Sequence, residues 1–441
     1  MFKTIKNALK SPDIRKRLWY TLLLLVIFRL GCYITMPMIN IATLSDTMNQ
    51  NSNGITGLIN MVSGGAFSRL SIFAMSITPY ITASIVVQLL AMVIPSLERL
   101  TKEGGEEGRK KVDRITKLIS LALAVVEALG VYFSYKSSGV FVDDGALTGF
   151  VVVLSLMAGT SLLTWLGDKI TSKGVGNGIS MLIFAGIVSG IPSALESIFG
   201  LIVDNGEFST KGLVEAILLI AGILILVVGV VYVQMAERRI PVQYSKKVVG
   251  RKMIGAQNTH IPIKPAMASV MPIIFASSFM TFPAMCIELF VSDIENKSGF
   301  LRVLYNLSIA TTSSNVGWQY TIINAIIYLL LIVGFTYFYT YATFNPAEVA
   351  NNIKQNGGFI PGIRAGKPTA DYLSSVLSKV VLFGGLFLAA IAIIPMFAKS
   401  TGLNTAFGGT SILIVVGVAI ELSQQLQSLV AMKHYKGFLE K

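Results

Sequence analysis

Charge is scarce in this sequence: 13% of its 441 residues are Asp, Glu, Lys or Arg, whereas a soluble domain carries about a quarter. Hydrophobic residues make up 53% and the mean hydropathy is +0.68. Cys32 and Cys286 both fall in or near apolar runs, which argues against a disulfide framework or a thiolate metal site. The two histidines, His260 and His434, lie in polar segments, which argues against most histidine-dependent catalysis. We therefore expect a polytopic membrane protein without a cofactor or metal.

Long apolar runs are what the sequence has instead. A bilayer core requires about 20 apolar residues in a helix. Ten runs of about this length are present, and they predict an all-α protein with ten membrane spans. The predicted spans are residues 18–37, 70–95, 118–135, 148–166, 179–202, 213–234, 267–291, 320–343, 375–398 and 409–431.

The basic residues are distributed unevenly between the two sides of these spans. Of the 36 Lys and Arg residues, 29 lie in one alternating set of connecting segments. The positive-inside rule places this set, and with it both termini, in the cytoplasm. The set comprises residues 1–17, 95–117, 168–178, 236–264, 346–379 and the tail 432–441. The excess charge is explained by topology and attraction to anionic lipid, or by a dock for an anionic partner.

A short pattern containing proline occurs in two of the spans. PYITAS begins at Pro79 and PIIFAS begins at Pro272, so both fit P-x-I-x-A-S. Ten spans divide into two groups of five with opposite orientation, and the two patterns then occupy the second span of each group. We predict that proline interrupts both spans. Interrupted spans at matching places of inverted halves mark a functional site between the halves.

A shorter apolar segment, residues 55–68, precedes the second span. A helix of this length reaches about 21 Å, less than the ~30 Å bilayer core. Gly64 and Gly65 weaken its helix propensity further. We predict a short helix that lies at the interface or turns into a cavity. Two ionisable residues occur inside the runs: we expect Arg29 to reach the outer interface and Glu127 to face a partner helix.

The sequence resembles the SecY family of bacterial protein-conducting channels over nearly its whole length. The resemblance rests on the order, spacing and placement of several motifs. They are TPYITASIVVQLL (78–90), KEGGEEGRKK (102–111), TWLGDKITSKGVGNGISMLIFAGIVSGIP (164–192), ERRIPVQY (237–244), GAQNTHIPIK (255–264), MPIIFASS (271–278), FNPAEVANN (344–352), GGFIPGIRAGK (357–367) and FGGTSILIVV (407–416).

The resemblance implies a clamshell of two inverted five-helix halves, with an hourglass pore between them that also opens sideways to lipid. The halves would be residues 18–202 and 213–431, joined by an external hinge loop at 203–212. The pore constriction would be a ring of isoleucines, which sequence periodicity alone reads as ordinary lipid-facing or core residues. The ring comprises Ile77, Ile81, Ile179, Ile183, Ile274 and Ile414.

The resemblance also implies a plug that seals the outer funnel of the pore at rest. Weak helix propensity at its paired glycines suits an element that must leave its seat. The family's lateral gate, between spans 2–3 and 7–8, admits signal sequences to lipid. Its polar cluster would match Thr82 and Glu127, while Phe282 departs from the family by being apolar. The plug comprises Gly57, Leu58, Ile59, Asn60, Met61, Val62, Ser63, Gly64, Gly65, Ala66, Phe67, Ser68 and Arg69.

Two cytoplasmic loops, residues 236–266 and 345–374, resemble the family's docking sites for the ribosome and for the motor ATPase SecA. The implied contacts are Lys246, Lys247, Arg251, Lys252 and Arg364. The resemblance further implies SecE and SecG as subunits, signal sequences and precursor polypeptides as passengers, and the plasma membrane of a bacterium as the location. No nucleotide-binding motif is found, so the chain is not expected to be an enzyme, and a partner must supply the energy.

Three other functions remain open at this point. A small-solute secondary transporter also uses inverted repeats and broken helices, but it needs polar ligands at mid-membrane, where isoleucines predominate. An intramembrane enzyme needs a nucleophile with a base, or a metal motif, within the spans. An accessory SecY that serves a restricted set of exported proteins would share most of the motifs.

Overall fold

The computed structural model of this chain is mostly helical. It describes residues 9–44, 60, 63–102, 104–136, 138–143, 145–204, 207–208, 210–244, 247–249, 252–254, 258–265, 267, 270–290, 299–310, 317–400 and 409–439. The helices are α1 (Pro12–Gly31), α2 (Thr78–Val93), α3 (Pro95–Lys102), α4 (Gly105–Lys136), α5 (Ala146–Lys173), α6 (Gly178–Ser189), α7 (Ile191–Ile202), α8 (Thr210–Met235), α9 (Met271–Phe290), α10 (Phe300–Ile309), α11 (Trp318–Thr343), α12 (Pro346–Gln355), α13 (Lys367–Ser400) and α14 (Gly409–Leu439).

Each of the ten predicted spans contains helix, although residues 32–37 of the first and 70–77 of the second are not helical. Seven uninterrupted or gently bent spans in the described residues are long and apolar enough to cross a membrane, namely α4, α5, α6 with α7, α8, α11, α13 and α14. Helices α2 and α3 form an eighth span if their 106° bend is counted within one crossing. The first predicted span is α1, which begins among the basic residues Arg15, Lys16 and Arg17. The seventh is α9, whose apolar part runs over Met271–Ala284.

The two repeated prolines begin helices, and the prediction that they interrupt spans is wrong. Pro79 lies in the first turn of α2, and Pro272 is the second residue of α9. A proline there removes no helical hydrogen bond, because the first N–H groups of a helix have no partner within it. The helix within the second predicted span therefore begins at Thr78. Residues 70–77 before it form successive turns, with an isolated β-bridge at Ser71. These turns are buried, and Leu70 and Ser76 have positive φ angles of 38° and 52°.

The two halves meet along several helix pairs. On one side, α9 of the second half packs against α2 and α4 of the first. Nearer the middle, α14 packs against α6, and the consecutive helices α7 and α8 pack together where the halves join. The connection predicted as a hinge loop contains a minimal hairpin, β1 (Val203–Asp204) with β2 (Glu207–Phe208). One cluster of buried apolar side chains spans the junction of the halves, and two others lie mainly within single halves.

The two predicted docking loops share one small sheet, which the sequence analysis did not foresee. Strand β3 (Arg238–Tyr244) pairs antiparallel with β6 (Asn258–Ile263) of the same loop. It also pairs with β7 (Gly358–Phe359) of the other loop, in the order β6-β3-β7. A further hairpin, β4 (Lys247–Val249) with β5 (Lys252–Ile254), extends from the first loop. Apolar side chains from β3, β6, α12 and α13 form a buried core beneath the three-stranded sheet.

This core predicts a clear effect of Ile263→Asp. Ile263 is fully buried, so its removal costs about 2–5 kcal/mol, and a buried carboxylate adds a desolvation cost. We expect the sheet to open and residues 236–264 to become sensitive to protease in membrane-embedded protein. Thr259→Asp is the matched control, since Thr259 lies exposed on the same strand. Equal protease resistance of both variants would contradict this account of the sheet.

Candidate functional site

The six isoleucines named as a pore ring come together in one apolar cluster at the junction of the halves. Ile77, Ile81, Ile183 and Ile414 are buried, and Ile179 and Ile274 pack against them while partly buried. Four helices or their first turns supply these side chains: α2 and α6 from the first half, and α9 and α14 from the second.

The four isoleucines from the first half lie at the N-terminal ends of α2 and α6. The Ile81 N–H donates to the Ile77 carbonyl at 3.0 Å, so these two residues are one turn apart at the beginning of α2. Ile179 and Ile183 are likewise one turn apart in α6, which puts both on one helix face. Asn177 caps this helix, with its side-chain oxygen accepting from the Ile179 N–H at 3.1 Å. Both pairs are thus fixed by the way their helices begin.

We call the six isoleucines the collar; that they ring a pore remains a prediction from the resemblance. Their branched apolar side chains have a definite chemical capacity. They offer water and ions no hydrogen-bond partner, and a narrow apolar constriction can block ions by dewetting. The collar presents neither a nucleophile nor a general base, and no cluster of His, Cys, Asp or Glu suited to a metal occurs in the described part of the chain. The arrangement is suited to sealing and to sliding contact.

The segment predicted as a plug contributes to the same apolar cluster as the collar. Ala66 is fully buried in that cluster, and the neighbouring Phe67 is buried in a separate cluster within the first half. Residues 63–69 form successive turns, so the predicted helix does not extend over them. Gly64 and Gly65 explain the difference, since their φ angles of +67° and +83° are incompatible with a right-handed helix. Gly57, Leu58, Ile59, Met61 and Val62 lie outside the described residues.

The turn at Gly64 fits closely into a notch between α1 and α6. A Cβ atom at this position would lie 2.7 Å from the Ser189 hydroxyl oxygen and 3.0 Å from the Gly186 Cα. The Gly64 carbonyl accepts a hydrogen bond from the Arg29 guanidinium. Beside it, the Cys32 thiol donates to the Ser63 carbonyl at 3.7 Å. The described part of the segment is therefore attached to the first half of the molecule.

The predicted lateral-gate residues lie on the helices that pack across the junction, but the structure does not show them acting together. The Thr82 hydroxyl donates to the Thr78 carbonyl of its own helix at 3.1 Å. Glu127 is half-buried on α4, and Phe282 on α9 is 44% exposed. Phe275 contributes to the packing of α9, with its ring edge-on to those of Phe335 and Tyr339 on α11 at 6.0 and 5.9 Å. A polar latch from Thr82 and Glu127 remains a prediction.

The predicted docking residues are described to different extents. Lys246 and Arg251 lie outside the described residues, while Lys247 and Lys252 lie on the paired strands β4 and β5. Arg364 is exposed, and the turn before it contains Gly362 with φ +81°. Its carbonyl accepts a hydrogen bond from the Thr369 hydroxyl at 2.8 Å. Arg364 therefore lies on a turn with an internal hydrogen bond, and its side chain is exposed.

Some polar contacts near the collar could not be found from the sequence. Lys117 on α4 bridges Asp113 of the same helix and Asp168 on α5, with both N–O distances at 2.6 Å. The Gly176 N–H donates to the Gln425 side-chain oxygen, which ties the loop before α6 to α14. Asp113 and Lys117 are one helical turn apart, a spacing that periodicity does predict. The contacts from Lys117 to Asp168 and from Gly176 to Gln425 join separate helices, the latter pair 249 residues apart, and no periodicity in the sequence connects them.

Known proteins resemble this chain in sequence. The family model described as SecY matches residues 71–423. Proteins named protein translocase subunit SecY are 42% identical in Halalkalibacterium halodurans, with all of both chains covered, and 41% identical in Thermotoga maritima, with all of this chain and 98% of the relative covered.

Solved structures show the same fold. The structure of a protein conducting channel superposes with a TM-score of 0.67 at 21% identity, covering 94% of this chain and 92% of the other. Sec61 in the canine ribosome-channel complex from the endoplasmic reticulum gives 0.64 at 20% identity, with the same coverage of both chains. These matches agree with a clamshell of ten spanning helices. Together with the full-length relatives at about 40% identity, they show that this chain belongs to the SecY family.

Proposed function

We propose that this chain is the pore-forming subunit of a protein translocase. It passes unfolded polypeptides across a membrane and releases their apolar segments sideways into lipid. The observation that carries the proposal is the collar: six isoleucines from both halves meet in one apolar cluster at the junction, and Ala66 of the predicted plug is buried in the same cluster. Relatives over the whole length of the chain are named as translocase subunits.

The collar suits a polypeptide as the passenger. Branched apolar side chains close around a chain of variable shape without offering a strong hydrogen bond or charge that would hold it. A transporter for a small solute needs ligands that recognise one substrate. The collar supplies only aliphatic surface, so selectivity must come from a signal sequence and from the gates.

The sideways exit is proposed between α9 and the pair α2 and α4. These helices pack across the junction, while α7 and α8 connect the halves in sequence and also pack together. Parting the first interface while the second holds would open the clamshell toward lipid. Thr82, Glu127 and Phe282 lie on the three helices of the proposed gate.

Partners and location complete the proposal. SecE is expected to clamp the two halves, with SecG bound more loosely, because two halves that part sideways need an external brace. SecA or a translating ribosome supplies the energy through the loops that carry Lys247, Lys252 and Arg364; the chain itself is not an enzyme. We place it in the plasma membrane of a bacterium with both termini in the cytoplasm, since the basic residues lie predominantly on one side.

The proposal is tested by protease protection. The chain is reconstituted with SecE in vesicles, and SecA, ATP and a precursor that bears a signal sequence are added. We expect precursor to become protected from protease only when ATP is present, and to lose protection when detergent opens the vesicles. Vesicles that protect no precursor but accumulate a small solute along an ion gradient would overturn the proposal in favour of a transporter.

A further inference from the structure

The contacts of Arg29 are unexpected for an arginine near the end of the first span. Its guanidinium donates to the Gly64 carbonyl at the base of the plug turn. A second N–H of the same group donates to the Tyr33 hydroxyl at 3.2 Å, one helical turn further along the chain. The hydroxyl of Ser189 lies 3.5 Å from the Gly64 oxygen, but it donates to Gly186 at 2.7 Å. Arg29 is thus the strong donor to this carbonyl.

Tyr33 connects the same group to the far end of the plug. The Arg69 guanidinium lies 4.1 Å from the centre of the Tyr33 ring, and that of Arg29 lies 4.9 Å from it. A cation over an aromatic face is attracted by the ring quadrupole. Tyr33 therefore contacts both Arg29, which hydrogen-bonds to the turn at Gly64, and Arg69, the last residue of the plug. Both contacts involve α1 or the residues that directly follow it.

The described plug residues maintain their own shape by internal hydrogen bonds. The Gly65 N–H donates to the Asn60 carbonyl at 2.8 Å, and the Ser68 N–H donates to the Asn60 side-chain oxygen at 2.9 Å. The Phe67 N–H donates to the Ser63 hydroxyl at 3.1 Å. None of these bonds involves Arg29, so the described plug residues can keep their shape when the Arg29 contact is lost.

We propose that Arg29 is a positioning residue that latches the plug to the first half of the channel. The inference rests on the proposed function and adds a consequence to it. The latch joins the plug to α1, whereas the lateral gate lies between α9 and the pair α2 and α4. Parting the gate leaves the hydrogen bond from Arg29 to Gly64 intact. Release of the plug is thus a separate step from opening of the gate, with its own energetic barrier.

The test measures how often a buried plug residue becomes accessible. Cys32 and Cys286 are replaced by serine, which keeps a donor next to Ser63, and Ala66→Cys supplies a buried probe. A membrane-impermeant maleimide is added to the complex with SecE from the side opposite the termini. We expect Arg29→Leu to increase the labelling rate about tenfold, the population change that follows from losing a charged hydrogen bond.

Two further variants distinguish the latch from general damage. Arg29→Lys keeps the charge with fewer donors and should label at an intermediate rate. Arg302→Leu makes the same change at an exposed arginine on α10 and should label at the parent rate. All variants are also assayed for transport of a precursor, which shows that they are folded. Labelling of Arg29→Leu at the parent rate in a transport-competent complex would overturn the latch while leaving the proposed function intact.

A cross-link between α2 and α9 tests whether the two steps are separate. With the gate held shut in this way, the tenfold increase in labelling of Arg29→Leu should persist. An increase that appears only when the gate is free to open would show that gate and plug move as one, and would contradict the separate step. Absence of transport by the parent complex would instead refute the proposed function itself.

Discussion

Replacing Ile81 by asparagine is expected to make the resting channel leak ions. Ile81 is buried in the collar, one turn from Ile77. Burying one such side chain is worth about 1.5–3 kcal/mol relative to exposing it to water, whereas an amide at this position would hydrogen-bond water. We expect resting conductance in planar bilayers to rise roughly tenfold or more. Ile274→Asn should act in the same direction, since Ile274 packs against the collar from the other half.

The matched control for the collar is Ile220→Asn. Ile220 lies on α8 and is 45% exposed, so the same substitution there leaves the junction unchanged. The collar variants should also transport precursors with defective signal sequences more readily than the control, because the closed state is less favourable. Parent-like conductance and signal-sequence selectivity in Ile81→Asn and Ile274→Asn would remove these residues from the pore.

Reversing the charge of Arg364 is expected to abolish most SecA-driven export. The residue is exposed on a turn fixed by Gly362 and by the Thr369 hydrogen bond. A guanidinium in this position can engage a carboxylate with two parallel hydrogen bonds. Arg364→Glu replaces that attraction with repulsion, and we expect export to fall at least tenfold, corresponding to about 1.4 kcal/mol. Protease protection and ATP hydrolysis by bound SecA measure the effect.

Two controls separate a docking defect from a folding defect. Arg364→Lys keeps the charge without the fork of donors and should retain part of the export. Lys354→Glu makes the same reversal at an exposed basic residue on the nearby helix α12 and should export normally. Export by Arg364→Glu at the parent level would exclude Arg364 as a contact for the motor.

Sequence patterns were sufficient for the spans but not for how the chain enters and leaves them. Apolar length located a helix within each of the ten predicted spans, because a helix that crosses a bilayer must be apolar over most of its length. The prediction that Pro79 interrupts its span was wrong, because composition does not show where within an apolar run a helix begins. Residues 70–77 are apolar enough to belong to the span, yet they fold as buried turns.

The collar could be named only through resemblance to a family. Ile81 and Ile414 are separated by more than 300 residues, and nothing in local periodicity distinguishes them from isoleucines that face lipid. Other long-range contacts had no signal of any kind. The hydrogen bond from Arg29 to Gly64 and the pairing of β3 with β7 depend on how separate segments pack. From the sequence alone, Arg29 was predicted to reach the outer membrane interface, and its contact with Gly64 was not foreseen.

Site-specific photo-cross-linking would test the path of the polypeptide most directly. A precursor is stalled part-way through the reconstituted channel, and a photoreactive side chain replaces Ile183 or Ile414 in the collar. The same group at Leu218, which is 66% exposed on α8, serves as the control. If polypeptides pass through the collar, the stalled precursor should cross-link at both collar positions and not at Leu218. Cross-links at Leu218, with none at either collar position, would contradict a pore through the isoleucine collar.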